Sequence, residues 1–245
     1  MAKILILGAT SAIAEQFARL YAQAENEMLL VARNPEVLDE VSRDLEVRGM
    51  GKVSSLSHDF NEIDKAQAFI KQCYGLLGTI DIVLIAFGTL PDQTAANKDT
   101  TMMHREILLN YNAIVVLLNE LGLEFEKQKS GTIAVLSSVA GDRGRQSNYI
   151  YGSAKGGLSI FMQGMRNRLA GHNVQVLTIK PGFVDTPMTK SFKKGLLWVG
   201  PDKIAQDIKR AIDKRKDVLY TPWYWWWIML IIRTIPEKIF KKLKL

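Results

Sequence analysis

The sequence contains little cysteine and no long uncharged hydrophobic run. Its 245 residues include a single cysteine, Cys73, which excludes an intramolecular disulfide and favours a reducing compartment such as the cytoplasm. No stretch of 18 uncharged residues occurs, so we expect no ordinary membrane-spanning helix. The apolar run near the start stops at Gly8 and polar residues follow, which favours a first strand over a signal peptide.

Signatures for nucleic-acid and metal binding are also missing, although the chain is basic. Its net charge of +7 indicates an anionic partner: nucleic acid, a phosphorylated ligand or an anionic membrane surface. Nucleic acid is the weakest of these, because no zinc-finger, basic-zipper or RNA-binding signature occurs. We therefore predict no nucleic-acid partner. We also predict no metal, because the histidines His58, His104 and His172 lack metal-ligand spacing.

Short β-branched or leucine-rich runs alternate with longer segments of helical period. Such alternation is typical of a doubly wound α/β fold of the Rossmann type, in which ligands bind at the carboxyl ends of parallel strands. Continuous apolar runs such as residues 82–86 indicate strands that are covered on both faces. No linker or internal repeat occurs, so we predict one domain. The predicted strands are residues 3–7, 28–32, 53–56, 82–86, 132–136, 174–179 and 218–220.

The composition changes near residue 222. Residues 222–232 hold four of the five tryptophans, and a basic tail with Lys238, Lys241, Lys242 and Lys244 follows. We therefore separate a catalytic domain, residues 1–221, from a C-terminal aromatic and basic segment, residues 222–245. Tryptophan favours membrane interfaces and lysine favours anionic headgroups, so this segment is either a membrane-surface anchor or a cover for the core or a subunit contact.

The first predicted strand runs into a turn of small residues and then a helix. Free backbone N–H groups at a helix N-terminus bind phosphate, so this turn is a candidate dinucleotide site, although a plain strand-to-helix turn would look similar. The predicted contacts are Gly8, Thr10, Ser11, Ala12 and Ile13.

The end of the second strand carries Arg33 and no carboxylate. An acidic residue at this position would bind the ribose 2′-hydroxyl of NAD, whereas a basic residue would pair with the 2′-phosphate of NADP. Arg33 therefore predicts NADP(H) as the cofactor, the alternative being a solvated loop arginine.

Tyr151 and Lys155 lie four residues apart, which places them on one face of a helix. A phenol with a pKa near 10 is a poor proton donor or acceptor at neutral pH, and a nearby ammonium lowers that pKa. The pair alone is not specific, because about one chain of this composition in two would show it by chance. Ser138, which follows the fifth strand, suits a hydrogen bond to a substrate oxygen.

The order of these motifs resembles the short-chain dehydrogenase/reductase family over nearly the whole chain. The resemblance implies a hydride-transfer enzyme, usually a dimer or tetramer, with an Asn-Ser-Tyr-Lys tetrad. The residues that carry it are Gly8, Asn110, Ser138, Tyr151, Lys155 and Pro181-Gly182.

The resemblance also implies further cofactor contacts and shows two departures. Pro181, Gly182 and Thr186 would meet the nicotinamide end of the cofactor, and Ala86 and Gly88, at the end of the fourth strand, would also contact it. Asp59 would either meet the adenine ring or cap a helix.

Two motifs depart from the family pattern. The family's later glycines are replaced by Ala12 and Ala14, and its Asn-Ala-Gly reads Ala86-Phe87-Gly88. These departures question the turn geometry and the subfamily rather than the activity.

Two arginines, Arg143 and Arg145, lie between Ser138 and Tyr151. Arginine suits bidentate recognition of phosphate or carboxylate, so we predict that both line the substrate pocket, the alternative being solvated surface charges.

The resemblance extends to one branch of the family, the reductases of decaprenylphosphoryl-2-keto-pentose. The residues that carry it are Ala86-Phe87-Gly88, the loop from Gly141 to Arg145, the segment around Tyr151 and the C-terminal tail. It implies a keto-sugar held through phosphate on a polyprenyl chain, an oxidase partner subunit, and a peripheral location at the inner face of the membrane. The alternatives are a 3-oxoacyl or small-ketone reductase and a non-catalytic NADP-binding redox sensor.

Overall fold

A seven-stranded parallel sheet forms the centre of the molecule in a computed structural model, which describes residues 1–243. The strand order is β3-β2-β1-β4-β5-β6-β7, so the predicted doubly wound α/β fold is confirmed. Each predicted strand is present, with ends that differ by at most two residues. The strands are β1 Lys3–Leu7, β2 Glu27–Ala32, β3 Lys52–Ser57, β4 Ile82–Ile85, β5 Gly131–Leu136, β6 Val174–Pro181 and β7 Val218–Thr221. Lys244 of the predicted basic tail lies outside the described residues.

Helices cover both faces of the sheet because successive strand residues point to opposite sides. Ile4 and Ile6 of β1 enter one hydrophobic core, and Leu5 and Leu7 enter the other. The helices are α1 Ala12–Arg19, α2 Pro35–Val47, α3 Ala66–Leu77, α4 Gln93–Ala96, α5 Thr100–Ile107, α6 Ala113–Gln128, α7 Tyr149–Leu169, α8 Pro201–Asp213, α9 Tyr224–Thr234 and α10 Glu237–Phe240.

Helices α5 and α6 form one continuous rod that is interrupted by a π-helical turn, Leu108–Asn112. The rod, Thr100–Gln128, is the one helix in the described part of the chain that is long and apolar enough to cross a membrane. Its apolar side is buried against the sheet, as expected of a core helix, with Leu117, Leu118 and Leu121 inaccessible to solvent. Extra turns of this kind often occur at functional sites, and this one carries Asn110.

Candidate active site

A cleft of about 490 Å³ opens at the carboxyl ends of the central strands. It brings together all but two of the residues predicted for the site. The predicted residues that line it are Gly8, Thr10, Ser11, Ala12, Ile13, Arg33, Ala86, Gly88, Asn110, Ser138, Arg145, Tyr151, Lys155, Pro181, Gly182 and Thr186. The two that do not line it are Asp59 and Arg143.

The turn before α1 leads into a helix N-terminus that lines the cleft, although two of the family's glycines are replaced by alanine. The N–H groups of Gly8 and Ala9 donate to the carbonyl of Val31, which ties the turn to β2. Ser11 caps α1 by accepting from the N–H of Ala14. The methyl of Ala14 lies in the core beneath the helix, so it does not narrow the cleft. Of the two replacements, only Ala12 lines the cleft.

Arg33 directly follows β2 and lines the same cleft as this turn. Its side chain is exposed at the cleft, and its guanidinium makes no salt bridge within residues 1–243. An exposed arginine without a carboxylate partner is available to an anionic ligand.

Asp59 is exposed and does not line the cleft, so its contact with the adenine ring stays a prediction. Its carboxylate accepts from the backbone N–H of Asn61 at 3.0 Å and from the amide of the same residue at 2.8 Å. Both bonds are accepted by Oδ1, so the local turn occupies one of the two carboxylate oxygens. Phe60 lines the cleft instead, stacked on Phe87 with ring centroids 4.0 Å apart.

Tyr151 and Lys155 lie on the cleft side of α7, one turn apart. The Lys155 side chain is buried, and its Nζ donates to the carbonyl of Leu136 at 3.0 Å and lies 5.8 Å from the Tyr151 ring centroid. Burial lowers the pKa of Lys155 to about 8. Burial also raises the pKa of Tyr151 to about 12, against the opposing effect of a hydrogen bond with Ser138. The phenol therefore needs the adjacent ammonium to release a proton near neutral pH.

Ser138 begins a short 3₁₀ helix after β5, and buried charges fix the segment that follows it. The Ser138 Oγ accepts from the N–H of Ala140 at 3.0 Å. Asp142, four residues further on, pairs with the Lys180 Nζ at 2.5 Å and accepts from the Tyr220 hydroxyl at 2.7 Å. These contacts join the serine loop to β6 and β7, so Ser138 sits on a rigid support.

Asn110 is fully buried at the back of the cleft. Its Oδ1 accepts from the N–H of Thr89, and its Nδ2 donates to the backbone carbonyl and the carboxylate of Glu106, each at 3.1 Å. A Cβ on Gly88 would lie 2.7 Å from the Asn110 Oδ1 and 3.5 Å from the Lys155 Nζ, so only glycine fits there.

Glu106 is a buried site residue that the sequence reasoning missed. Its carboxylate accepts from the Thr89 hydroxyl at 2.5 Å as well as from Asn110, and Thr89 lines the cleft. The available signal was an acidic residue on the buried side of a helix, one turn before Asn110. Buried carboxylates usually have partners, and here those partners are cleft residues.

Arg143 points away from the cleft, so its prediction as a pocket residue is corrected. Its Nη1 donates to the carbonyls of Ile232 and Ile235, each at 2.6 Å, and its Nη2 pairs with Glu237 at 3.0 Å. The guanidinium also lies 3.6 Å from the ring centroid of Phe240. Carbonyls at a helix C-terminus lack hydrogen-bond donors within the helix, and Arg143 is the donor for two such carbonyls at the end of α9.

Arg145 lines the cleft as predicted, and part of its hydrogen-bonding capacity is unused. Its Nη2 lies 3.3 Å from the Met229 sulfur, and its buried Nε has no hydrogen-bond partner within residues 1–243. Burial lowers the pKa of the guanidinium, against the opposing charge of Asp142. A half-buried guanidinium that lines the cleft and makes no salt bridge within residues 1–243 is a favourable place for an anionic ligand.

The loop after β6, residues 183–198, forms the rim of the cleft, and we call it the rim loop. Its residues Phe183, Met188, Phe192 and Trp198 line the cleft and were not predicted, because the loop has no periodic pattern. Trp225 of α9 packs edge-on against Phe183 with centroids 4.9 Å apart.

Trp225 also lies directly against the backbone of Gly182. A Cβ on Gly182 would fall 1.8 Å from the Trp225 Nε1, so glycine is required where the C-terminal segment meets the cleft.

Several known proteins are similar to this chain in sequence. The profile of the short chain dehydrogenase family matches residues 2–196. An uncharacterised oxidoreductase of Mycobacterium tuberculosis is 32% identical over 99% of this chain and 97% of its own length. An uncharacterised oxidoreductase of Streptomyces coelicolor is 31% identical over 98% of this chain and 95% of its own length. A 3-oxoacyl-[acyl-carrier-protein] reductase of Chlamydia muridarum is 27% identical over 78% of this chain and 77% of its own length.

Two solved structures share the fold. The actinorhodin polyketide ketoreductase with NADPH superimposes with a TM-score of 0.78 at 17% identity, over 90% of this chain and 95% of the other. A short-chain dehydrogenase from Sphingobium yanoikuyae in complex with NADPH gives a TM-score of 0.78 at 20% identity, over 97% of both chains.

Proposed function

The chain belongs to the short chain dehydrogenase family, and on that premise we propose that it is an NADPH-dependent reductase of a ketone. The observation that carries the proposal is that Asn110, Ser138 and the Tyr151–Lys155 pair, which come from three separate segments of the sequence, line one cleft. Tyr151 would be the proton donor. A protein that only bound the cofactor would not need a phenol beside a buried ammonium.

The residues around the cleft fit NADPH. The capped N-terminus of α1 offers backbone N–H groups to a pyrophosphate, and Arg33 offers an unpaired guanidinium to a 2′-phosphate. Two solved structures with the same fold are complexes with NADPH, which supports the choice of cofactor. When bound, NADPH supplies the hydride that reduces the ketone carbon.

The catalytic residues have separate tasks. Tyr151 donates its proton to the ketone oxygen, and Ser138 donates a hydrogen bond to the same oxygen. Lys155 carries a positive charge below its pKa of about 8 and so stabilises the Tyr151 phenolate as it forms. Asn110 and Glu106 hold the back of the cleft in place.

We propose a keto-sugar linked through phosphate to a polyprenyl chain as the substrate. Arg145, which lines the cleft and makes no salt bridge within residues 1–243, suits the phosphate, and the apolar rim residues Phe183, Met188 and Phe192 suit a prenyl chain. Such a substrate stays in the bilayer, so the enzyme would act as a peripheral protein at the inner face of the membrane. It would act as a homo-oligomer, with an oxidase partner subunit supplying the keto-sugar.

A second candidate is the reduction of a 3-oxoacyl group. One relative is named a 3-oxoacyl-[acyl-carrier-protein] reductase, and an apolar rim also suits an acyl chain. A redox sensor without turnover is the candidate of another class, and it would bind NADPH tightly yet reduce nothing in a substrate panel.

The test compares turnover on three soluble substrates: a farnesyl-phosphoryl keto-pentose, the same keto-pentose without phosphate, and a 3-oxoacyl thioester. We expect the highest kcat/KM on the first. Arg145→Gln should lower that value by about 10- to 100-fold, the worth of one or two charge-assisted hydrogen bonds. The kcat/KM on the keto-pentose without phosphate should stay within about threefold of wild type. Arg105→Gln, an exposed arginine outside the cleft, is the control. Preference for the thioester, or an equal loss on all three substrates, would overturn the keto-sugar assignment.

A further inference from the structure

Helix α9 has two apolar faces, and only one of them is packed against the protein. Its inner face buries Trp225 and Met229 beside Val139. Its outer face, which we define as Trp223, Trp226, Trp227, Leu230 and Ile231, stays exposed, with Trp223 at 70% and Ile231 at 64% of full exposure. The spacing of these residues is that of one continuous helical stripe. Large exposed apolar patches mark interaction surfaces.

The rim loop continues this exposed apolar surface up to the mouth of the cleft. Met188 and Phe192 are about half exposed, and Leu196 is fully exposed. The loop and the helix touch, because Phe183 packs on Trp225 and the Tyr224 hydroxyl donates to the carbonyl of Leu197 at 3.2 Å. Phe183 also lines the cleft, so helix α9, the rim loop and the cleft mouth adjoin one another.

This apolar surface carries an excess of positive charge. Residues 182–199 and 222–243 together contain seven basic and two acidic residues. Both acids are already neutralised, Asp185 by Lys194 and Glu237 by Arg143. Over the described part of the chain, Lys190, Lys193, Lys238 and Lys241 make no salt bridge, so their charges remain available to an external anion.

We propose that the outer face of α9 and the rim loop together form one docking surface for an anionic lipid bilayer, onto which the active-site cleft opens. Exposed tryptophans flanked by lysines have the composition of a helix that lies in the membrane interface. With 11 residues, α9 spans about 17 Å, far less than the roughly 30 Å hydrocarbon core, so it lies on the bilayer and does not cross it.

A second copy of the chain is a poorer occupant of this surface. A two-fold interface brings the same patch of each subunit together. The excess of basic residues would then face itself, which is unfavourable without counter-charges. An anionic bilayer supplies both the negative charge and the apolar layer that the surface lacks.

The consequence for catalysis rests on the proposed function. A polyprenyl chain could remain in the bilayer while its keto-sugar reaches Tyr151 through the cleft mouth. Vesicle binding should then lower the KM for a long-chain substrate and leave the kinetics on a soluble ketone unchanged.

The wild-type protein carries its own probe, because all five tryptophans belong to this surface or its support: Trp198, Trp223, Trp225, Trp226 and Trp227. We expect quenching of intrinsic fluorescence by vesicles of phosphatidylcholine and phosphatidylglycerol with brominated acyl chains. Quenching should be weaker with phosphatidylcholine alone and should be reduced by high salt. Absence of quenching on anionic vesicles would overturn the proposal.

Two double variants divide the apolar from the charged contribution, with flotation as the measurement. Trp226→Gln with Trp227→Gln, and Lys190→Glu with Lys193→Glu, should each weaken binding to anionic vesicles by at least about tenfold. Val47→Gln with Leu76→Gln, and Lys71→Glu with Lys129→Glu, all exposed residues away from this surface, are the matched controls and should bind as wild type. None of the four altered surface residues lines the cleft, so turnover of a soluble ketone should be retained. Equal binding by variants and controls would refute the assignment of this surface.

The outcomes separate this proposal from the proposed function. Vesicle binding without reduction of a lipid-linked keto-sugar would support the surface and contradict the substrate. Reduction of that substrate without vesicle binding would support the substrate and contradict the docking surface. If the wild type ignores vesicles and the double tryptophan variant dissociates a dimer in sedimentation, the face is an interface between copies and the bilayer is ruled out.

Discussion

The back of the cleft and its rim are built in opposite ways. At the back, Asn110 is fully buried and Lys155 is 3% exposed, and their polar groups have protein partners. At the rim, Phe192 and Leu196 expose apolar side chains to solvent. Preorganised buried groups suit a fixed chemical step, whereas an exposed apolar edge suits contact with something outside the protein. The difference indicates that reaction and substrate delivery are specified by separate parts of the molecule.

The sharpest test of the buried region is Tyr151→Phe, which removes only the acidic hydroxyl. We expect kcat for ketone reduction to fall by about 10²- to 10⁴-fold, the usual worth of a general acid, with NADPH affinity within about threefold of wild type. Stopped-flow turnover and fluorescence titration measure the two quantities. Tyr149→Phe is the control, because this exposed tyrosine on the same helix donates to Asn97 outside the catalytic group. Retained turnover in Tyr151→Phe would contradict the assignment.

The next largest effect concerns the cofactor. Replacing Arg33 by Asp should lower the ratio of kcat/KM for NADPH over NADH by about 10- to 100-fold, because charge-assisted hydrogen bonds to the 2′-phosphate are lost and a repulsive carboxylate is gained. Arg43→Asp, an exposed arginine on α2 that does not line the cleft, makes the same charge change elsewhere. An unchanged ratio in Arg33→Asp would remove this residue from the cofactor site.

Burial of Lys155 gives the buried region a pH signature. Its pKa of about 8 means that the ammonium is present below that pH and is lost above it, while Tyr151, with a pKa of about 12, stays protonated over the same range. Reduction needs Tyr151 protonated as the proton donor and Lys155 protonated as the stabilising charge. We therefore expect kcat/KM to fall by about tenfold per pH unit above pH 8. Lys155→Arg stays charged, so it should move the fall in kcat/KM to higher pH. Titration with NADPH shows whether the site of this variant is intact. A flat profile to pH 9.5 in the wild type would refute this role of Lys155.

The two regions were also unequal in how far the sequence could predict them. The Tyr151–Lys155 pair was predictable because the two residues are neighbours on one helix, and Ser138 because it follows a strand whose end a parallel sheet brings to the ligand-binding edge. Asn110 was expected only from the family resemblance. The strands were predictable because their apolar runs must be covered on both faces.

The rim could not be predicted because its contacts depend on tertiary packing. Arg143 and Arg145 are two residues apart and chemically identical, yet one binds the end of α9 and the other lines the cleft. No local pattern distinguishes them, since the choice depends on where α9 packs. Asp59 is a different case, because its Oδ1 accepts from Asn61 in a local turn that the sequence reasoning did not predict, and its contact with the cofactor stays a prediction.

The smallest effect should come from Arg143→Ala, and it tests whether the two arginines are divided as described. Loss of hydrogen bonds to the Ile232 and Ile235 carbonyls should cost roughly 1–3 kcal/mol, which lowers Tm by several degrees. Hydrogen exchange should quicken in α9 and α10 and stay unchanged in α8. Turnover of a soluble ketone should remain within about threefold. Arg48→Ala, which removes an exposed surface ion pair, controls for the loss of an arginine.

The opposite result would be equally informative about Arg143. If Arg143→Ala raised the KM for a phosphorylated ketone while exchange in α9 stayed at the wild-type rate, the residue would belong to the substrate site after all. The contrast between a buried catalytic region and a rim supported by the C-terminal segment would then lose one of its main links. Because Arg143 contacts the α9 carbonyls and Phe240 but does not line the cleft, we expect the loss in stability and not the loss in affinity.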